Sequence, residues 1–468
     1  MAKTKVFIGL DLGSSRVKAM AQSERGETGL ASRPTPWQGG QLDPELVSQV
    51  ALGVCHESVD RFGNSAEVAA IGVTSMAESG IWVDAEGPMA PFTSWQDESR
   101  TEDLYRRFAE NFDLMEIYKR TGVVASPKFS LFRAMIDAGT RSASTRTWFQ
   151  LADWIIYRWT RGARVSHANL AARTMAMNWR TTSWDDELLA YAGLSAKNFP
   201  EIVTIPVIAG RIRLDSASAL GGVPVVHAGM DHAAAYLGAH LPLGVALDSS
   251  GTAEPWVVEE AQPILTQTAL EAGMVWAPNI TASGYSGLLP TPAGGAAERW
   301  ARRLFGEGAM DDEARPLPEF EAQGFMRSQA RFLHVGPATE PADFYQAVLV
   351  GVAQSLNQRL DDLRCITGRA MQDVAFVGGA VSHQSWSDLR QKTISANLWA
   401  LSRAEIGAEA TALGAIQAAR MAMAEPLRGG DNVWRNLTTN QIATPPWLLP
   451  AGENTVHSQN HQWETGGI

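Results

Sequence analysis

One short design occurs twice in this chain. Residues 9–20 read GLDLGSSRVKAM and residues 246–257 read ALDSSGTAEPWV. In each, an apolar run reaches an aspartate, passes a turn of glycine and hydroxyl residues, and returns as a second run, the pattern of a glycine-turned β-hairpin. A hairpin repeated at such a distance predicts two similar half-molecules, and so an α/β fold built twice with a cleft between the copies. The length agrees: 468 residues with 45% apolar side chains exceed what one ordinary core organises.

The rest of the pattern follows this plan. Helix-like apolar spacing covers 44–62, AAIGVTSM (69–76) reads as a buried strand, and a further strand covers 79–87. From Arg100 to Pro206 the chain reads as mostly helical. TWFQLADWIIYRWTRG carries its aromatics at helical spacing, as a stripe of core packing. GGVPVVHAG (221–229) is a buried strand and DHAAAYLGAH (231–240) its following helix. In the second half, a helix begins in TPAGGAAERWARRLFG (291–306), a long one covers 344–368, and DVAFVGG (373–379) is a strand. The expected division is 1–243, 244–450 and a polar tail from 451 to 468, with Gly244 in LPLGV as a hinge.

A net charge of −11 opposes general affinity for nucleic acid or anionic lipid, so any phosphate binding must be local. The two cysteines, Cys55 and Cys365, stand in no CxxC or Cys/His cluster, which argues against a disulfide framework or a structural zinc site. The N-terminal MAKTKVFIGLDLG has no apolar leader, and no stretch has the roughly 18 apolar residues of a membrane span. A cytoplasmic protein is expected.

A turn of Gly-Ser-Ser or Ser-Gly-Thr offers backbone N–H groups and hydroxyls without bulky side chains, which suits phosphate oxygens. Two such turns facing one another could hold one triphosphate. GLDLGSSRVKA, WQDESR (95–100), GMDHAAAYLGA (229–239), DSSGTAE (248–254), VGGAVSHQSWSDL (377–389) and EATALGA (409–415) stand in the order found in the FGGY carbohydrate kinases. The chain resembles that family over about residues 5–420. The resemblance implies duplicated actin-like ATPase domains, of ribonuclease H-like type, that close over ATP, Mg²⁺ and a small sugar or polyol.

By that resemblance Asp11 positions Mg²⁺ through water, and Ser14 and Ser15 contact the ATP phosphates. Asp231 takes the proton of the attacking hydroxyl, with His232 beside it. Gly251 and Thr252 form the second phosphate loop. Gly295 opens a nucleotide-contacting helix with Arg299 one turn on, and Gly379 with His383 borders the adenosine. Lys18 reads as a solvated strand-end lysine.

Glu78, Trp95, Gln96 and Asp97 make up the set of acids, an amide and an aromatic face that suits vicinal hydroxyls. Departures from the family narrow the acceptor. Glycerol kinases carry Arg-Glu where this chain has Ala77-Glu78, so the arginine is lost, and the Met-His of xylulokinases and gluconate kinases is absent from SMAESG (75–80). WQDESR has one residue more between Asp and Arg than the common motif, which removes support for Arg100. FLHVGPATEPAD (332–343) replaces a Gly-Glu-Arg-x-Pro stretch, and Lys128 reads as solvent-facing. An autoinducer-2-type dihydroxyketone kinase and an actin-like ATPase with a protein partner are the alternatives. A homodimer is compatible with the family.

Overall fold

The structure is a computed structural model that describes residues 3–137, 146–213, 220–291, 294–306, 317–321, 331–401, 409–427 and 433–449. The tail from 451 to 468 lies outside the described residues. The first half is built on β1 (Thr4–Leu12), β2 (Arg16–Ser23), β3 (Thr28–Pro34), α1 (Pro44–Val59), β4 (Ala66–Ser75), β5 (Ile208–Arg211), β6 (Pro224–Met230) and α2 (Asp231–Gly238). Its sheet runs in the order β5–β6–β4–β1–β2–β3. The hairpins β1/β2 and β2/β3 are antiparallel, whereas β4 and β6 join in parallel. Strand β1 is buried from Val6 through Leu12, which explains its unbroken apolar run.

The second half uses β7 (Ala246–Ser250), β8 (Trp256–Glu260), β9 (Val275–Pro278), β10 (Tyr285–Leu289), α3 (Gly295–Phe305), α4 (Pro341–Thr367), β11 (Asp373–Gly378), β12 (Asn397–Leu401), α5 (Ala410–Ala422), β13 (Trp434–Asn436) and β14 (Gln441–Ala443). Its sheet has the order β9–β10–β8–β7–β11–β12–β13–β14. Within it β10–β8–β7–β11–β12 repeats β3–β2–β1–β4–β6, with the same antiparallel hairpins and the same two parallel additions. The duplicated hairpin therefore marks a duplicated sheet.

The halves interlock. Helix α2, from the first half, packs Ala235, Tyr236 and Ala239 with Leu247, Val257, Ala375 and Val377 of the second sheet. Helix α5, from the second half, packs Ala412, Leu413, Ile416 and Ala419 with Phe7, Met20 and Ala70 of the first. Glycine makes the seam possible. A Cβ on Gly9 would stand 1.8 Å from the Ala412 carbonyl oxygen, and one on Gly72 1.9 Å from that of Ala415. Between the helices, Gly238 and Gly414 approach the carbonyl oxygens of Ala410 and Ala234 so closely that a Cβ would fall at 2.0 and 1.7 Å. A cut at residue 243 thus divides the sheets but not the cores.

The stretch from Arg100 to Pro206 is mostly helical, as expected, but short strands interrupt it. Thr147–Gln150 is a strand, and its antiparallel register sets Trp148 opposite Trp82, with the indoles edge to face at 5.4 Å. Aromatic residues favour such a half-buried pleated surface, and the helical period starts only at Leu151, where Gln150 and Asp153 form a capping box. Short parallel strands Val165–His167 and Glu201–Val203 interrupt the helices further. Gly244 has φ +85°, and its N–H donates to the Glu259 carbonyl at 2.7 Å, so the expected hinge is a turn tied to β8.

Candidate active site

Both glycine-hydroxyl turns open on one cleft of about 580 Å³ between the sheets. Thr35 Oγ1 and Trp37 Nε1 donate to the carbonyls of Gly13 and Ser14, each at 2.7 Å, fixing the first turn. Across the cleft Ser15 Oγ and Thr252 Oγ1 share a hydrogen bond of 2.7 Å, and Arg299 Nη2 donates to the same threonine oxygen at 3.0 Å. The N–H of Gly295 donates to the Gly251 carbonyl at 3.1 Å and that of Ala296 to the Thr252 carbonyl at 3.1 Å, so α3 starts against the second turn. Positive partial charge collects at that helix start and favours anions.

The glycine pair after β11 divides its duties. Gly378 has φ +102°, and a Cβ there would meet the Ser250 carbonyl oxygen at 2.0 Å, so it serves the packing of β11 on β7. A Cβ on Gly379 would meet nothing within 4 Å. Gly379 and His383 line the open side of the cleft, where a flat ring could lie.

Asp11 and Asp231 share the cleft floor with Ser14 and Lys18. Burial raises the Asp11 carboxyl to about 8; Lys18 opposes this, while Asp231 and Glu409 add to it. Oδ1 of Asp11 is buried and accepts no hydrogen bond from the described residues. Lys18 is part-buried and ion-paired with Glu409 at 3.1 Å, contrary to the solvated expectation, because α5 brings the acid across from the other half. A desolvated carboxylate with an orphaned oxygen suits Mg²⁺, which takes one or two carboxylates plus waters and phosphate oxygens. The donor set fits the ion.

Asp231 is the first residue of α2, but the capping position is Met230 and no side chain caps the helix there. Its Oδ1 instead accepts the N–H of His232 at 2.8 Å. Burial lifts its carboxyl to about 7; the His232 N–H opposes this, Glu78 adds to it and Arg173 opposes it. Burial holds the His232 ring near 4, and its Nδ1 shares a hydrogen bond of 2.9 Å with Ser249 Oγ, across the two halves.

At the other end Glu78 stands at φ +63°, a left-handed conformation unusual for a side-chain-bearing residue. Gln150 Oε1 accepts its N–H at 3.2 Å. Arg173 Nε donates to Glu78 Oε1 at 2.7 Å, and Nη2 donates to the same oxygen. The arginine absent beside Glu78 is therefore supplied from 95 residues away. No local motif could have revealed it.

Trp95 lines the cleft, but Gln96 and Asp97 are exposed and stand outside its wall. Asp97 Oδ1 accepts the Ser99 N–H at 3.1 Å and the Ser99 hydroxyl at 2.6 Å, which holds the acid in its own turn; Glu98 faces the cleft in its place. Lys128, read as solvent-facing, also lines it. Arg100 and the stretch 332–343 do not.

The profile of the FGGY family of carbohydrate kinases, N-terminal domain, matches residues 6–238, and that of the C-terminal domain matches 254–423. An L-fuculokinase of Salmonella typhi is 24% identical, covering 86% of this chain and 90% of its own length. An apulose kinase of Pectobacterium atrosepticum is 25% identical, covering 88% of each. Among solved structures, a glycerol kinase of Plasmodium falciparum with ADP superposes with a TM-score of 0.74 at 17% identity, covering 90% of each chain, which is a likeness of fold. That fold is the duplicated actin-like ATPase architecture. With both halves matched, the chain belongs to the FGGY family of carbohydrate kinases.

Proposed function

We propose that this kinase transfers the γ-phosphoryl group of MgATP to a hydroxyl of a four- to six-carbon sugar, ketose, polyol or sugar acid, with Asp231 as general base. One observation carries the reading: a carboxylate raised to about 7 stands in the same cleft as two phosphate-type turns. A base with that affinity is about half ionised at neutral pH and holds a transferred proton well.

Asp231 takes the acceptor's O–H proton, the hydroxyl oxygen bonds to the γ-phosphorus, and the bond from that phosphorus to the ADP oxygen breaks. Ser14, Ser15, Gly251 and Thr252 hold the phosphates, with Arg299 and the start of α3 facing the developing charge. Asp11 would hold Mg²⁺, which when bound would neutralise charge on the phosphate oxygens. Glu78 and Trp95 orient the acceptor, and closure of the halves keeps water from the γ-phosphate. A cytoplasmic supply of ATP fits this chemistry.

The test is ADP release with MgATP across ketoses, polyols and sugar acids. Asp231→Asn should lower acceptor-dependent turnover by roughly 10²–10⁴-fold, the usual weight of a general base. ATP turnover indifferent to every acceptor and to this substitution would point to an ATPase serving a protein partner.

A further inference from the structure

Resting on the kinase reading, we infer that the acceptor carries a carboxylate, and that Lys128, with Arg173 beside it, is the seat that reads it. The charge of Arg173 is already taken up by Glu78, through two N–H groups on one oxygen. Lys128 has no such partner: among the described residues no group makes a hydrogen bond or ion pair with its ammonium. Both cations lie against the same ring, Lys128 Nζ 5.3 Å and the Arg173 guanidinium carbon 5.1 Å from the centre of Phe129.

A part-buried ammonium beside a second cation is costly to keep charged. Burial and Arg173 depress its proton affinity, and Glu78 and Glu98 offset this only through space. An anion in the cleft would relieve it. The location selects the acceptor as its source: Glu78 and Arg173, which act on Lys128, also act on Asp231, whereas the phosphate-type turns belong to the β1/β2 and β7/β8 ends. The described cleft lining contains no Asn or Gln, so Glu78 and Glu98 are the groups there that read hydroxyls, and Lys128 is the cation left over for a carboxylate. Hydroxyls beside one carboxylate suit a sugar acid of the aldonate or uronate class. A lysine holds such a carboxylate by a charge-assisted hydrogen bond.

The experiment compares pairs of acceptors that differ only at one terminal carbon, carboxylate against hydroxymethyl, in the MgATP-dependent ADP-release assay. The quantity read is the ratio of kcat/KM for acid over alditol in wild type, Lys128→Met and Lys128→Arg. Wild type should favour the acid by about 10-fold or more. Lys128→Met should cut that ratio roughly 10- to 100-fold, the worth of one charged hydrogen bond, and Lys128→Arg should keep most of it. Because the ratio is internal to each variant, a reduced folded fraction does not move it. A wild type that favours the alditol overturns the inference and leaves the kinase reading standing. So does an equal loss on both acceptors in Lys128→Met, which would assign the lysine to the γ-phosphate or to the scaffold. If no acceptor of either class raises ADP release above the Asp231→Asn background, both readings fall.

Discussion

Asp11 and Asp248 occupy the same step of the repeated hairpin, each following a leucine near the end of a buried strand. Each has one buried oxygen that accepts no hydrogen bond from the described residues, but their surroundings differ. Asp11 lines the cleft, opposite Thr74 of the parallel neighbour β4. Asp248 is fully buried opposite Phe376 of β11, and its Oδ2 accepts from Arg390 Nη1 at 3.0 Å. The same arginine pairs with Glu254 and lies over the rings of Phe376 and Trp386, at 4.9 and 4.6 Å. Burial first, and then Glu254, push the Asp248 carboxyl well above the ordinary carboxylate range, and Arg390 opposes this. A repeated motif fixes where a carboxylate stands; the neighbouring strand and helix decide whether it meets ligand or scaffold.

The contrast can be broken by substitution. Arg390→Ala would leave two carboxylates in an apolar core and should cost about 3–5 kcal/mol in urea unfolding. A loss below about 1 kcal/mol would mean that Asp248 is not held as a scaffold. Asp11→Asn should weaken the apparent Mg²⁺ affinity in turnover roughly 10- to 100-fold, the size seen when groups that orient a bound metal are removed. Asp248→Asn should leave the Mg²⁺ dependence of the folded fraction where it was, and equal effects at the two aspartates would erase the distinction.

A smaller effect sharpens it. As the proposed base, Asp231 has to be ionised to accept a proton, and its affinity is raised, so kcat/KM should rise with pH through about 7 and fall about tenfold per unit below it. Asp248 sits outside the cleft, so its titration should not enter this profile. Asp11, raised to about 8 without the ion, should add a second rise that moves to lower pH as Mg²⁺ increases, because metal and proton compete for one oxygen. A profile flat from pH 5 to 9 would count against both carboxylates.

Much of this was legible in the sequence where structure is periodic and local. Both hairpins, the strand before Asp231 and the long helix over 344–368 announce themselves by apolar spacing and glycine turns. TWFQ was misread because four aromatic-rich residues fit either period, and only the pairing of Trp148 with Trp82 decides. The Glu78–Arg173 pair and the inward turn of Lys128 depend on residues far apart in the chain, which no spacing encodes. Glu98, one residue past the expected acid, reaches the cleft because Ser99 engages Asp97. The interlock did leave a trace, since α2 and α5 both carry Leu-Gly-Ala, at 237–239 and 413–415.

Those glycines also limit how descendants of such a chain could diverge. Residues on the cleft rim, Trp95, Glu98 and Lys128 among them, could be exchanged one at a time as new acceptors are tried. At Gly9, Gly72, Gly238 and Gly414 even a methyl group would collide with a carbonyl oxygen of the opposing element. A lineage could therefore wander widely in substrate while its two halves remained bound to one another, inherited as a single unit that recombination at the midpoint would break.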